Sequence, residues 1–245
     1  MRISRLLVAG PLVAGGVLSL EGETSHYLKS VLRLKKGWRL TIFDGAGYEC
    51  LATVEGFGRD TTHLRLDTPE AINRESPLKI HLALGISRGE RMDFAIQKAV
   101  ELGVDEITPL LTEFCVVRLN EERKSNRQHH WQGIIRSACE QSGRNRLPTL
   151  HATCRLDDWL GQRENAGNIL MLDPEGEPGF GSQPKPQDGL TLLIGPEGGF
   201  SPREREEAVR SEWSCVSLGP RILRTETAVL ASLAACQTLW GDFKG

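Results

Sequence analysis

Leu192-Leu193-Ile194-Gly195-Pro196-Glu197-Gly198-Gly199-Phe200 is an unbroken apolar run that opens into a glycine-rich loop. A short run without polar alternation reads as a strand covered on both faces, as in parallel sheets. The residues that follow, Ser201-Pro202-Arg203-Glu204, place a serine cap, a proline at the first helical position and a glutamate three residues after the cap. That combination predicts a helix from there to about Ser211. Glycines at the C-terminal end of a strand let a ligand approach the backbone, and this is the edge at which open α/β sheets bind ligands. The loop has no Gly-Lys-Ser/Thr ending to hold phosphate and magnesium, and it is not GxGxxG. Taken alone, it reads equally well as a tight strand-to-helix turn that needs glycine.

Moving outward, the same alternation recurs. Ile80 to Ile86 reads as a strand, Met92 to Leu102 as a helix with Met92, Ile96, Ala99 and Val100 on one face and Gly103 as its C-terminal cap, and Ile107 to Leu111 as a strand. Ile169 to Leu172 and Cys215 to Leu218 are further strands, and Ala228 to Trp240 is a helix crowded with Ala231, Ser232, Ala234 and Ala235. Strands alternating with helices imply an α/β fold with a mostly parallel sheet. Two more loops end strands: Leu172-Asp173-Pro174-Glu175-Gly176, and Ser217 to Ala228 (SLGPRILRTETA). Three such loops on neighbouring strands would make a cleft lined by backbone amides.

The first 70 or so residues have a different character. Arg39 to Phe43, Tyr48 to Val54 and Thr62 to Leu66 are short alternating strands with a turn at Asp44-Gly45, and Thr24 to Leu32 is helical. The pattern suggests a small β-barrel. The polar, proline-flanked segment Pro69 to Pro77 is the candidate linker, giving domains at 1–72 and 73–245.

Composition sets limits. With 39% hydrophobic and 25% charged residues the chain is globular, and a formal net charge of -2 argues against a protein that coats nucleic acid nonspecifically. Residues 118 to 147 carry seven Lys/Arg (Arg118, Arg123, Lys124, Arg127, Arg136, Arg144, Arg146) against three Glu, either a local basic face or a solvated helix surface. Six cysteines without CxxC or close Cys/His spacing predict reduced thiols rather than disulfides or zinc, and the adjacent His129-His130 do not face each other on a helix, so no metal site is expected. Arg2 and Arg5 before an apolar stretch imitate a signal peptide, but Pro11 and Gly15-Gly16 interrupt it. No run approaches the roughly 20 apolar residues of a membrane span, so the expected location is the cytoplasm.

Four segments, RMDFAIQKAVELGV (Arg91 to Val104), ACEQSGRNRLP (Ala138 to Pro148), IGPEGGFSPRE (Ile194 to Glu204) and SLGPRILRTETA, occur in an order that resembles the ribosomal RNA small subunit methyltransferase E family of the SPOUT superfamily. The resemblance covers nearly the whole chain. It implies an N-terminal PUA-like barrel that binds RNA, and a C-terminal α/β domain threaded into a trefoil knot. It further implies a homodimer that uses S-adenosylmethionine to methylate N3 of a uridine in 16S rRNA. One departure stands out: where the family often has arginine and serine after the glutamate of Thr112-Glu113-Phe114-Cys115-Val116, this chain has Phe114 and Cys115.

By the same resemblance, Leu172, Ile194, Gly195, Pro196, Glu197, Gly198, Leu218, Gly219, Ile222, Leu223 and Thr227 enclose the cofactor. Glu197 either contacts it or accepts hydrogen bonds from nearby amides to hold the loop. Glu226 is the candidate proton acceptor and Arg224 the cation that stabilises negative charge on the uracil oxygens, unless the two merely pair. RNA contacts are expected from Arg2, Arg5, Lys35, Lys36 and Arg39 in the barrel and from Arg88, Arg91, Arg144, Asn145 and Arg146, with Asn145 placed to read a base edge. The competing readings are a noncatalytic RNA-binding or ribosome-assembly protein, and a SPOUT enzyme acting on transfer RNA or a ribose hydroxyl.

Overall fold

The computed structural model describes residues 4–115, 120–161 and 168–243, so Arg2, Val116 and Arg118 lie outside the described residues. The chain divides into two compact units, 1–75 with 139–147, and 76–138 with 148–245.

In the first unit the strands are β1 (Arg5–Leu7), β2 (Val17–Glu21), β3 (Arg39–Phe43), β4 (Tyr48–Phe57), β5 (Thr61–Leu66) and β6 (Glu70–Ala71). They form one sheet in the order β1-β3-β4-β5-β2, with β6 also on β4. Only the β1–β3 pairing is parallel. Alternation puts Leu40, Ile42, Ala52, Val54, Leu64 and Leu66 into the core beside Leu6, Val8 and Leu28. A bulge between Val54 and Gly56 re-aims β4 as it pairs with β5. The turn after β3 forms as expected, since Asp44 Oδ1 accepts the amides of Ala46, Gly47 and Tyr48 at 2.8, 3.1 and 3.1 Å. The expected helix at Thr24 to Leu32 is two pieces, α1 (Gly22–His26) continuing into a π-helical turn, Tyr27–Val31. That turn carries Leu28 into the barrel core, while the Ser25 and Thr62 hydroxyls meet at 2.7 Å.

The boundary between the units falls between Glu75 and Ser76, within the segment read as a linker, and the part up to Glu75 is anchored inside this unit. Ile72 N–H donates to Gly47 O, and Glu75 pairs with Arg144 where both side chains are over 90% buried. Arg5 donates to Glu49 at 2.7 Å and to Asn145 Oδ1 at 2.5 Å, Asn145 Nδ2 donates to Ile72 O at 3.2 Å, and Leu7 N–H donates to Glu140 at 3.1 Å. These polar bonds are what bring residues 139–147 into the barrel unit, and no hydrophobic periodicity advertises them.

The second unit holds a sheet of seven strands, all parallel: β7 (Ile80–Gly85), β8 (Glu106–Leu111), β9 (Thr149–Leu150), β10 (Cys154–Arg155), β11 (Ile169–Leu172), β12 (Leu190–Ile194) and β13 (Ser214–Val216). Their order is β10-β8-β7-β12-β11-β13, with β9 also on β8. The helices are α2 (Glu90–Glu101), α3 (Glu121–Ser142, in this unit as far as Ala138), α4 (Leu156–Gly161), α5 (Pro202–Arg210) and α6 (Thr225–Leu239). Every residue of β11 and β12 is buried, as a parallel sheet covered on both faces requires. On one face Ala83, Leu110, Met171 and Leu193 pack with Leu156 and Trp159 of α4 and Ala208 of α5. Helices α2 and α6 pack against each other, with α6 also on β12. The small residues of α6 suit that close approach.

Two boundaries differ from the sequence reading. Strand β13 stops at Val216, and α6 begins at Thr225 rather than Ala228, because Arg224, in extended conformation, is already its cap and its carbonyl accepts Ala228 N–H at 2.8 Å. Glu226 and Thr227 therefore belong to the first helical turn. Among the described residues no helix is long and apolar enough to cross a membrane.

Candidate functional site

Strands β12, β11 and β13 lie side by side in the sheet and run the same way, so their C-terminal turns emerge at one edge. Between those turns and the start of α6 is a cleft of about 320 Å³. A volume near 300 Å³ is at the lower end of ordinary small-molecule sites. Its walls are largely apolar, built from Leu172, Ile194, Phe200, Val216, Leu218 and Leu223, with Gly195, Gly199 and Gly219 between them.

Each wall is fixed by local bonds. The loop after β12 turns through a Gly199 N–H bond to Pro196 O, Gly199 takes a φ of +69° that favours glycine, and the following helix is held by the reciprocal cap between Ser201 and Glu204. Glu204 is buried and its other oxygen accepts Glu113 N–H at 2.9 Å, tying the 112–115 turn to the same helix. A Cβ added at Gly198 would stand 2.9 Å from the Phe114 Cβ, so these two loops touch at a glycine. The β11 turn closes on Asp173, which accepts Glu175 N–H and pairs with Arg205 of α5, while Arg205 also reaches Glu175 at 3.0 Å. Gly176 leaves no room for a side chain, since a Cβ there would lie 2.6 Å from Val216 N. Thr225 Oγ1 donates to Gly195 O at 3.3 Å, joining the head of α6 to the β12 loop.

Glu197 is bonded within the loop region. Burial acts to raise its pKa, but hydrogen bonds from its own amide, the Arg88 amide at 3.3 Å and the Arg91 guanidinium at 3.0 Å outweigh it and hold the carboxyl below its usual range. A carboxylate held this way shapes the loop and keeps Arg91 at the cleft wall.

A family model described as "RNA methyltransferase domain" matches residues 74–237, and one described as "RNA methyltransferase PUA domain" matches residues 20–67. The Ribosomal RNA small subunit methyltransferase E of Buchnera aphidicola subsp. Schizaphis graminum is 36% identical over 98% of this chain and 98% of its own. The chain belongs to the ribosomal RNA small subunit methyltransferase E family. The Bacillus subtilis member is 29% identical over 89% of this chain and 88% of its own. A Legionella pneumophila methyltransferase, solved in complex with the cofactor SAM, is 39% identical, superposes with a TM-score of 0.94 and covers 99% of this chain and 100% of its own. The Neisseria gonorrhoeae family member, solved bound to S-adenosyl methionine, gives 36% identity and a TM-score of 0.92, covering 99% of this chain and 100% of its own.

Of the residues expected around a cofactor, Leu172, Ile194, Gly195, Pro196, Glu197, Leu218, Gly219, Ile222 and Leu223 line the cleft, and Gly198 and Thr227 do not. Arg224 lines it and is exposed. Glu226 lies off the wall, half-buried, with Oε2 buried and without a hydrogen-bond partner, and no ion pair joins it to Arg224. The sequence reading missed Asp173, Arg205, Phe200 and Thr225. Asp173 and Arg205 are 32 positions apart, and only the sheet order reveals that they meet.

The expected RNA contacts divide. Lys35, Lys36, Arg39, Arg88, Arg91 and Arg146 are exposed, with Arg39 paired to Asp67 and Arg91 to Glu197. Arg144 and Asn145 are buried in the first unit and Arg5 is engaged by Glu49 and Asn145, so these three side chains are held inside that unit, and Asn145 has its amide committed to Ile72 and Arg5 rather than open to a base edge.

Proposed function

We propose that this chain transfers a methyl group from S-adenosylmethionine to N3 of a uridine in the 16S rRNA of the small ribosomal subunit. The observation that carries the reading is the convergence of three adjacent parallel strand ends on an apolar cleft edged by glycines, in a chain that superposes on two relatives solved with this donor. The residues suit a sulfonium nucleoside: the apolar walls accommodate a base, and glycine backbones can meet its polar edges without side chains intervening.

When bound there, the donor supplies an electrophilic methyl on a positively charged sulfur. The chain's own task is mainly placement, because holding two reactants in line can lower a barrier by roughly 7–11 kcal/mol relative to free encounter. Arg224, exposed on the cleft wall, faces the carbonyl oxygens on which negative charge grows as N3 loses its proton. Glu226, in the first turn of α6 next to this wall, is the candidate proton acceptor once its side chain turns toward the cleft. Lys35, Lys36, Arg88 and Arg146 hold the RNA by its phosphates.

The same reading makes the C-terminal domain, 73–245, a trefoil-knotted SPOUT unit following a 1–72 PUA-like RNA-binding domain, and makes the working form a cytoplasmic homodimer. Ile222, 87% exposed on the cleft loop, is suited to cover by a second copy. The test is to incubate the protein with labelled donor and either deproteinised rRNA or assembled small subunits, digest the RNA and identify the nucleoside. We expect 3-methyluridine. A 2′-O-methyl product or label in transfer RNA alone overturns the acceptor assignment, and no donor binding by calorimetry leaves an RNA-binding protein without catalysis.

A further inference from the structure

A second site lies at the other edge of the same sheet. His81 is the second residue of β7 and Glu106 the first of β8, and the two are direct partners in the parallel register. Glu106 is in turn the partner of Thr149 on β9, and the chain leaving β9 is held by a His151 N–H bond to Ile107 O at 2.9 Å. Because side chains alternate along parallel strands, this register directs His81, Glu106 and His151 to one face at the N-terminal rim. One donor atom from each of the three lies within 4.8 Å of the others.

We propose that His81, Glu106 and His151 form a binding site for a divalent transition metal of the zinc class. Two imidazoles and one carboxylate are a donor set that zinc accepts, at about 2.0–2.2 Å per bond, with a fourth position open to water. Reaching that geometry requires the three donor atoms, now up to 4.8 Å apart, to turn inward on a common point. It displaces the 2.7 Å hydrogen bond between His151 Nε2 and Glu106, because the two groups that share a proton there become joint ligands. The surroundings already orient the first ligand: the Thr108 hydroxyl, on a buried residue, lies 2.8 Å from His81 Nε2, and the Trp159 ring meets the His81 ring edge-on at a centroid distance of 6.0 Å. Such outer partners fix the rotamers of metal-ligating histidines. The carboxylate and the second imidazole remain partly exposed, so the ion has an entry path.

The cleft lies at the C-terminal ends of β11, β12 and β13, so this site is spatially distinct from it, and a bound ion would clamp β7, β8 and the chain leaving β9. Sequence spacing conceals it, since the ligands are 25 and 45 positions apart.

The experiment is to strip the full chain with a chelator and titrate it with zinc alone, following heat and the thermal midpoint, then repeat with cobalt(II) and record its visible spectrum. We expect one zinc per chain, an upward shift of the midpoint by mass action, and cobalt bands without thiolate charge-transfer absorption. His151→Gln and Glu106→Gln, both at partly exposed positions, should each weaken zinc binding by about tenfold or more. Absence of binding, affinity unchanged in both variants, or a cobalt–thiolate spectrum that assigns the metal to cysteines would overturn the site.

Discussion

Gly198 shows how a residue outside the cleft wall can govern it. The obstacle to a side chain at this position is Phe114 on the neighbouring loop, 2.9 Å from where a Cβ would be, so Gly198→Val should push the two loops apart and lower donor affinity by more than tenfold, about 1.4 kcal/mol. Calorimetry checks this, and Phe114→Gly in the same chain, which removes the Cβ in the way, should restore part of the affinity. Arg224 and Glu226 call for a different comparison. Removing a group that stabilises charge only in the transition state costs about 100-fold or more in turnover, so Arg224→Ala should lower kcat to that extent while donor affinity changes by only about threefold. Glu226→Gln should likewise lower kcat, and a variant that retains full turnover removes Glu226 from the chemistry. These residues were legible as candidates because SLGPRILRTETA ends a strand. Their separation was not, because the sequence reading began α6 at Ala228, whereas the cap at Arg224 sets Glu226 on a helical turn.

At the scale of elements, the parallel strands were the most readable part of the chain, since short, mostly apolar runs bounded by turn residues, such as Leu190–Ile194 between Gly189 and Gly195, fit a strand covered on both faces. The order of those strands was not readable, because periodicity carries no information about which buried strand lies beside which. The convergence of β11, β12 and β13 thus had to come from the register. Polar anchors were equally silent. Gln237 on α6 is 1% exposed, accepts from Ser76 Oγ at 2.8 Å and donates to Leu102 O at 2.9 Å, while Gly103, at φ +84°, leaves it space by having no side chain. Truncation removes both bonds and leaves a gap at a buried position, so Gln237→Ala should destabilise this unit by about 1–3 kcal/mol, measured by urea unfolding. The anchoring of the linker segment was hidden for a related reason: Glu75 and Arg144 look like solvated charges until the fold pairs them.

For the molecule as a whole, acid sensitivity should centre on the barrel. The hydrogen bond from Arg74 chiefly, then Arg5, acting against burial, lowers the Glu49 carboxyl from 4.5 to about 2. A depressed folded pKa contributes stability that is fully present above the unfolded value, near 4.5, and lost as the pH falls toward 2. Glu49→Gln should therefore cost about 2 kcal/mol at pH 7 after allowance for solvent screening, and almost nothing near pH 2, where the wild-type group is itself being protonated. Chemical unfolding of both proteins across that range reads the difference directly. The membership of residues 139–147 in the barrel unit has one further consequence, which concerns birth rather than function. During synthesis the first 75 residues emerge long before Asn145 and Arg144 exist to meet Arg5 and Glu75, so the barrel must wait, incomplete, while more than sixty residues of its neighbour are translated. A nascent chain halted short of residue 139 should consequently remain protease-sensitive in its N-terminal strands, and release from that sensitivity should coincide with the appearance of Leu147.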